Sequence, residues 1–216
     1  MIKKLLFLSI ILTQLSCINR EISTYDEMKS DDLLVESFTN NELKDLSKIV
    51  DFFESEICSY TKKSVVEECY IPFLKLDSVA VERGELLQVL NYDKQKDLYK
   101  SIDSAFFKDL WYTSEMTRVR DDYEFKDKCY SLNVFRKKYP NFLEKFAKQR
   151  ESLKRYNEQA SMIGDFYNPI SPIILTINYG NFDFKDVKIR LVYALHYLNI
   201  NECSIQPQKR WMSKSE

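Results

Sequence analysis

Glycine occurs at only three of 216 positions, Gly84, Gly164 and Gly180, and this scarcity narrows the folds open to the chain more than any other feature. Glycine alone enters left-handed backbone without steric penalty, and loops that cradle phosphate need several glycines close together. Folds that depend on many tight turns or on glycine-rich phosphate loops are therefore nearly excluded. What remains is a chain of long regular segments. With 44% hydrophobic and 14% aromatic residues, it has ample material for the full-sized core of one domain.

Apolar spacing then predicts helices. Thr39-Asn-Asn-Glu42 fits a capping box, and Leu43, Leu46, Ile49, Val50, Phe53 and Ile57 follow at three- and four-residue steps. Ser64-Val-Val-Glu67 reads as a second capping box, opening a helix with Val66, Tyr70, Phe73 and Leu74 on one side despite Pro72. Glu85 to Leu90 reads as a short helical piece, and Asp93 to Tyr112 as a longer helix aligning Leu98, Ile102, Ala105, Phe106 and Leu110. A further helix is expected through Met116 and Val119 toward Phe125. Pro140 suits the first position of the next one, which buries Leu143, Phe146, Ala147 and Leu153. Gly164 to Ser171 reads as a loop. The β-branched run Ile173 to Ile177 suggests a strand, but Ser171-Pro172 before it and Gly180 after it favour a short helix. Asp183 is expected to cap a final helix carrying Val187, Leu191, Ala194, Leu195 and Leu198. The expectation is an all-α single domain of about six to eight helices over residues 38–204. An acidic tether at 17–37 precedes it and a polar, flexible tail at 205–216 follows.

The first residues carry an address. Lys3 and Lys4, the apolar run from Leu5 to Leu12, and Leu15-Ser16-Cys17 have the layout of a secretory signal, with residues 1–16 removed. The apolar run is shorter than the roughly 20 residues a spanning helix needs. Gln14-Leu15-Ser16-Cys17 resembles the lipobox of bacterial lipoproteins, with Gln14 where that family carries an aliphatic residue. The resemblance covers only the first 17 residues. It implies cleavage before Cys17, a diacylglyceryl thioether on its sulfur and durable anchoring through several acyl chains. Ile18 and Asn19, with no aspartate after the cysteine, favour the outer membrane by the same resemblance.

With Cys17 lipidated, Cys58, Cys69, Cys129 and Cys203 remain, an even number in a compartment that permits disulfides. Of the three connectivities, Cys58 with Cys69 and Cys129 with Cys203 is preferred, since the first staples a helical hairpin and the second ties the C-terminal segment to mid-chain. A four-thiolate metal site is the alternative, although no C-x-x-C pair occurs. Neither a metal nor a cofactor is expected.

Chemistry is sparse in the sequence. One histidine, His196, stands beside Tyr197 without the partners of a triad or zinc motif. Glu54, Glu56, Glu67 and Glu68 keep open a carboxylate-based enzyme acting on cell wall or lipid. Loss of Lys3 and Lys4 takes the charge from 32 minus 33 to 30 minus 33, or minus 3, which gives no global field for nucleic acid. Charge is segregated instead. Glu21 to Glu56 holds 11 acids against three lysines, and Arg136 to Arg155 eight bases against two acids. Either the two stretches pack together or one faces a partner, with Arg136, Lys137, Lys138, Lys145, Trp111 and Tyr112 as the candidate surface. The leading expectation is a non-catalytic, lipid-anchored envelope protein that binds another protein, as an assembly factor or an immunity-type inhibitor. A carbohydrate- or lipid-binding module is a further alternative, and it requires an exposed aromatic cleft or an apolar cavity.

Overall fold

The computed structural model describes residues 22–120, 123–133, 138–148, 150–163, 175–176, 179–207 and 209. Cys17, Arg136, Lys137, the loop expected from Gly164 and the run Ile173 and Ile174 lie outside them. In chain order the elements are α1 (Thr24–Lys29), α2 (Asp32–Ser37), α3 (Asn40–Thr61), α4 (Val66–Glu82), α5 (Tyr92–Ser101) and α6 (Ser104–Leu110). Strands β1 (Trp111–Arg120) and β2 (Tyr123–Leu132) follow, then α7 (Lys138–Ala147), α8 (Glu151–Ile163) and α9 (Val187–Ile200). Among the described residues the domain is all-α apart from this antiparallel hairpin, and two disulfides staple it. Among the described residues no helix is long and apolar enough to cross a membrane.

The centre is α9. It packs on α3 and also meets α1 and β2, and every residue from Ile189 to Ile200 is buried, Arg190, His196 and Asn199 included. A helix buried all round reads as apolar throughout rather than amphipathic, and its polar residues must find partners inside. Asp186, not Asp183, caps it, accepting from Lys188 N at 3.0 Å. Asp183 instead accepts from Lys185 N within the preceding turn. Beyond Ile200 the chain continues as a buried π-helical turn, Asn201–Ile205, and residues 206 and 207 stay buried. The packed body thus runs past the boundary expected at 204.

It also begins earlier than residue 38. Residues 24–37, read as tether, form two short helices capped by Ser23 and Asp31, and Met28 and Leu34 are fully buried. The reciprocal capping box of Thr39 and Glu42 forms as expected. The one expected at Ser64 does not: α4 starts at Val66 behind Val65, with no side-chain cap. Between these helices Lys62 takes a left-handed conformation, φ 56°, and the Cys58–Cys69 disulfide closes the reversal. Gly84, at φ 73°, ends α4, the left-handed stop that lets Glu85 N reach back to Ala80 O at 2.9 Å. Residues 85–89 have no helical structure, contrary to the expected short helix.

Two larger departures lie downstream. The helix expected from Asp93 to Tyr112 breaks at Ile102 and Asp103, because Asp103 serves as a new N-cap for Ala105 N and Phe106 N. Contacts from α3 hold the break: Asp103 N donates to Asp45 Oδ2 at 3.0 Å and Lys48 Nζ to Ser101 O at 2.9 Å. The expected helix through Met116 and Val119 is a strand, paired with β2 in register from Trp111↔Leu132 to Arg120↔Tyr123. Pro140 sits in the first turn of α7 rather than at its first position.

The segregated charges meet inside the fold. Helix α2 packs on α7, Lys145 Nζ lies 2.7 Å from Glu36 Oε1, and Lys138 pairs with Glu42. Exposed pairs of this kind contribute less than about 1 kcal/mol each, so they orient α7 more than they stabilise it.

Candidate functional site

The break after Ser101 directs the chain from α5 into α6 and straight into β1, and this brings together rings far apart in sequence. Tyr99 of α5, Phe107 of α6, Trp111 of β1 and Tyr130 of β2 form one cluster. Phe107 lies 5.0 Å from Trp111 and 5.1 Å from Tyr130 between centroids, and Tyr99 lies 5.2 Å from Phe107 and 5.0 Å from Trp111. Phe107 meets Tyr130 and Tyr99 edge to face, whereas the two contacts with Trp111 are tilted; edge-to-face pairs contribute about 0.5–1.5 kcal/mol beyond their burial. Tyr130 remains 41% exposed, whereas Trp111 is 2% exposed. The cluster forms the wall between two depressions. One, about 850 Å³, is lined by Phe107, Lys108, Trp111, Tyr112, Thr113, Tyr130 and Asn133. The other, about 340 Å³, is lined by Tyr92, Lys96, Tyr99, Lys100, Phe107, Tyr130 and Glu202. Together they make a groove at the base of the hairpin.

The groove has a fixed floor. Gln95 Nε2 donates to Tyr99 Oη at 2.7 Å and to Leu198 O at 3.1 Å, while Asn201 Nδ2 donates to Gln95 Oε1 at 2.7 Å. Burial, and next the charge of Glu202, hold the Tyr99 hydroxyl well above the usual phenol range, so it stays protonated. Tyr92 Oη donates to Glu202 Oε1 at 3.2 Å. Leu132 N donates to Asn199 Oδ1 at 2.7 Å, and Cys129–Cys203 bonds β2 to the turn after α9. A recognition surface built on packed elements rather than on loops is preorganised.

Of the four members of the expected interaction surface among the described residues, Trp111 and Tyr112 reach this place. Trp111 is nearly buried within the wall and Tyr112 is a partly exposed liner. Lys138 and Lys145 are engaged with Glu42 and Glu36 on another face. Sequence reasoning missed Tyr92, Tyr99, Phe107 and Tyr130. The hairpin, though not Tyr130 itself, leaves a faint sequence mark in the aromatic and β-branched residues Thr113, Thr117, Val119, Tyr123 and Phe125 on either side of Asp121-Asp122.

The titratable candidates are bound elsewhere. Glu54, fully buried, accepts from Tyr70 Oη at 3.0 Å and pairs with Arg190. Glu56 accepts from Asn91 N and Lys94 Nζ, each at 2.8 Å. Glu67 is exposed at the start of α4, and Glu68 lies 3.9 Å from Lys63. None of the four lines the groove. Asp77 is buried and accepts from Thr176 Oγ1 at 2.9 Å and Tyr197 Oη at 2.5 Å. Desolvation raises its pKa against those hydrogen bonds. Cys58, Cys69, Cys129 and Cys203 are joined as the two preferred disulfides, which removes the four-thiolate alternative, and among the described residues no cluster could hold a metal ion.

His196 is 1% exposed, with Nδ1 3.2 Å from Tyr156 Oη and Nε2 without a partner among the described residues. Burial drives its pKa down to about 3. A histidine whose folded pKa lies below its unfolded value makes stability fall with acidification, because the unfolded chain binds the proton first. The contribution is complete above about 6.5 and is lost progressively toward about 3. The expected loss is about 2 kcal/mol by pH 5. His196→Phe should flatten that part of the profile in urea melts at stepped pH, and an unchanged slope would show that His196 is not the group responsible.

Comparison with family models, with curated proteins and with solved structures finds no match to this chain.

Proposed function

We propose that this is a non-catalytic protein of the bacterial envelope, held by lipid on Cys17, in the outer membrane, that binds another protein as an assembly factor or immunity-type inhibitor. The observation that carries the binding reading is the groove at the hairpin base, where Tyr92, Phe107, Tyr112 and Tyr130 present partly exposed rings over a floor locked to α9. Aromatic anchors beside preformed pockets are the features on which binding energy concentrates at protein interfaces. The address rests on the lipobox-like Gln14-Leu15-Ser16-Cys17, and a durable anchor would keep the domain at the membrane.

The test is affinity capture from mildly cross-linked envelopes of cells fed a labelled fatty acid, with the tag at the C-terminus. One stoichiometric partner is expected with the wild-type chain. Phe107→Ala and Tyr130→Ala should each reduce its recovery about tenfold, the effect of losing one interface anchor of about 1.4 kcal/mol. Label should be absent from Cys17→Ala. Recovery of the chain carrying only glycan or lipid would overturn the protein-binding reading in favour of a ligand-binding module, to which the same exposed rings are suited.

A further inference from the structure

The hairpin has two edges, and the structure treats them differently. Asn133 N donates to Leu110 O at 2.8 Å, and the register pairs Trp111 with Leu132. In an antiparallel ladder this places Trp111, Thr113 and Glu115 at the positions whose N–H and C=O groups point away from β2. Trp111 N is satisfied by Phe107 O. On the opposite edge, Leu132 N is taken by Asn199 and Lys128 N by Asp127 Oδ1 at 2.9 Å, and the Cys129–Cys203 bond holds β2 to the turn after α9. The outward N–H and C=O groups of Thr113 and Glu115 have no partner among the described residues. Their outward groups recur every second residue, at roughly 7 Å.

That repeat identifies a ligand. Alternating donors and acceptors at strand spacing match the backbone of an extended peptide, and neither a sugar nor a lipid headgroup reproduces the period. Native proteins ordinarily blunt or cover such an edge; here it opens into the groove, since Thr113 lines the larger depression. Trp111, Thr113, Tyr130 and Leu132 share one face by register, so a residue paired with Thr113 would set its side chain in line with Tyr130. Charge adds a second constraint. Among the lining lysines, Lys96 and Lys100 are held by Asp93 and Asp97, while Lys108 is exposed and without an ion-pair partner among the described residues.

We infer that the outer edge of β1 receives an extended segment of the partner protein as a third strand. An apolar side chain of that segment sits in the groove beside Tyr130 and an acidic one faces Lys108. This rests on the protein-binding reading above and specifies what the partner must present.

The probe is a displayed library of random peptides selected on the purified chain with both disulfides intact. Enriched peptides should alternate β-branched or aromatic residues with polar ones and carry an acid at one end. Their binding should slow amide exchange at Thr113 and Glu115 by about tenfold or more. Thr113→Pro, which removes the outward N–H, should abolish selection. Because proline also perturbs the hairpin itself, Lys108→Glu provides an independent arm: with the fold intact, the flanking preference should change from acid to base. Failure to enrich any peptide, free-rate exchange at both amides in the bound state, or an unchanged preference in Lys108→Glu would each overturn the inference. A captured protein partner that requires Phe107 and Tyr130 but leaves the Thr113 and Glu115 amides exchanging freely would keep the binding reading and discard strand addition. Absence of any partner would discard the reading itself.

Discussion

Arg190→Met is expected to lower the unfolding free energy by about 3–5 kcal/mol, the cost of leaving a buried charge without its counter-ion. Arg190 is 1% exposed and Glu54 is fully buried. The guanidinium Nη1 lies 3.4 Å from Glu54 Oε1, and Nη2 pairs with Glu27. Three elements therefore meet at this side chain: α9 supplies Arg190, α3 Glu54 and α1 Glu27. For a domain of this size the loss corresponds to a fall in melting temperature of roughly 10 °C. The double variant Arg190→Met, Glu54→Leu should recover most of the loss, because removing both charges also removes the desolvation they suffer. Urea melts of the two variants check this. A single-variant loss below about 1 kcal/mol would mean that solvent reaches Glu54 and that the pair is not buried in solution.

Removing the Cys129–Cys203 disulfide by paired serine substitution is expected to cost about 4 kcal/mol in the chain-entropy account. The bond closes a sequence separation of 74 residues, against 11 for Cys58–Cys69, whose removal should cost about 3 kcal/mol by the same relation. The two losses also differ in place. Cys129 ties β2 to the turn that follows α9, so its loss should speed amide exchange across β2 and the groove. Loss of Cys58–Cys69 should act on the α3–α4 reversal alone. Denaturant melts with residue-resolved exchange separate them, and equal exchange across β2 in both variants would show that the long-range bond does not secure the hairpin.

The groove was hardly legible in the sequence. Its rings come from α5, α6, β1 and β2, and they converge only because α5 stops at Ser101 and the next turn restarts behind Asp103. Local spacing favoured a continuous helix there, with Leu98, Ile102, Phe106 and Leu110 aligned. Asp45 and Lys48 of α3 override that preference by bonding Asp103 N and Ser101 O, and such long-range contacts leave no mark on periodicity. The hairpin was misread for a related reason. Its strands carry Glu115, Lys126, Asp127 and Lys128 among the β-branched and aromatic residues, and that interspersed charge obscures the apolar alternation by which a half-buried strand is recognised. Trp111 and Tyr112 were found from their residue type. Lys138 and Lys145, chosen for charge, are held by α3 and α2.

By itself the sequence determined the helical class and the long capped helix over Asn40–Thr61, and it favoured, among three connectivities, the cysteine pairing that the structure has. Each of these follows from short-range spacing or from a small set of combinations. Tertiary structure alone decided that residues 24–37 belong to the body, that α9 is buried on every side and that two polar strands form a hairpin. Burial and strand pairing are properties of surfaces brought together from distant parts of the chain. A polar residue such as Arg190 or Asn199 looks exposed in sequence until its partners, Glu54 or Leu132 N, are seen beside it.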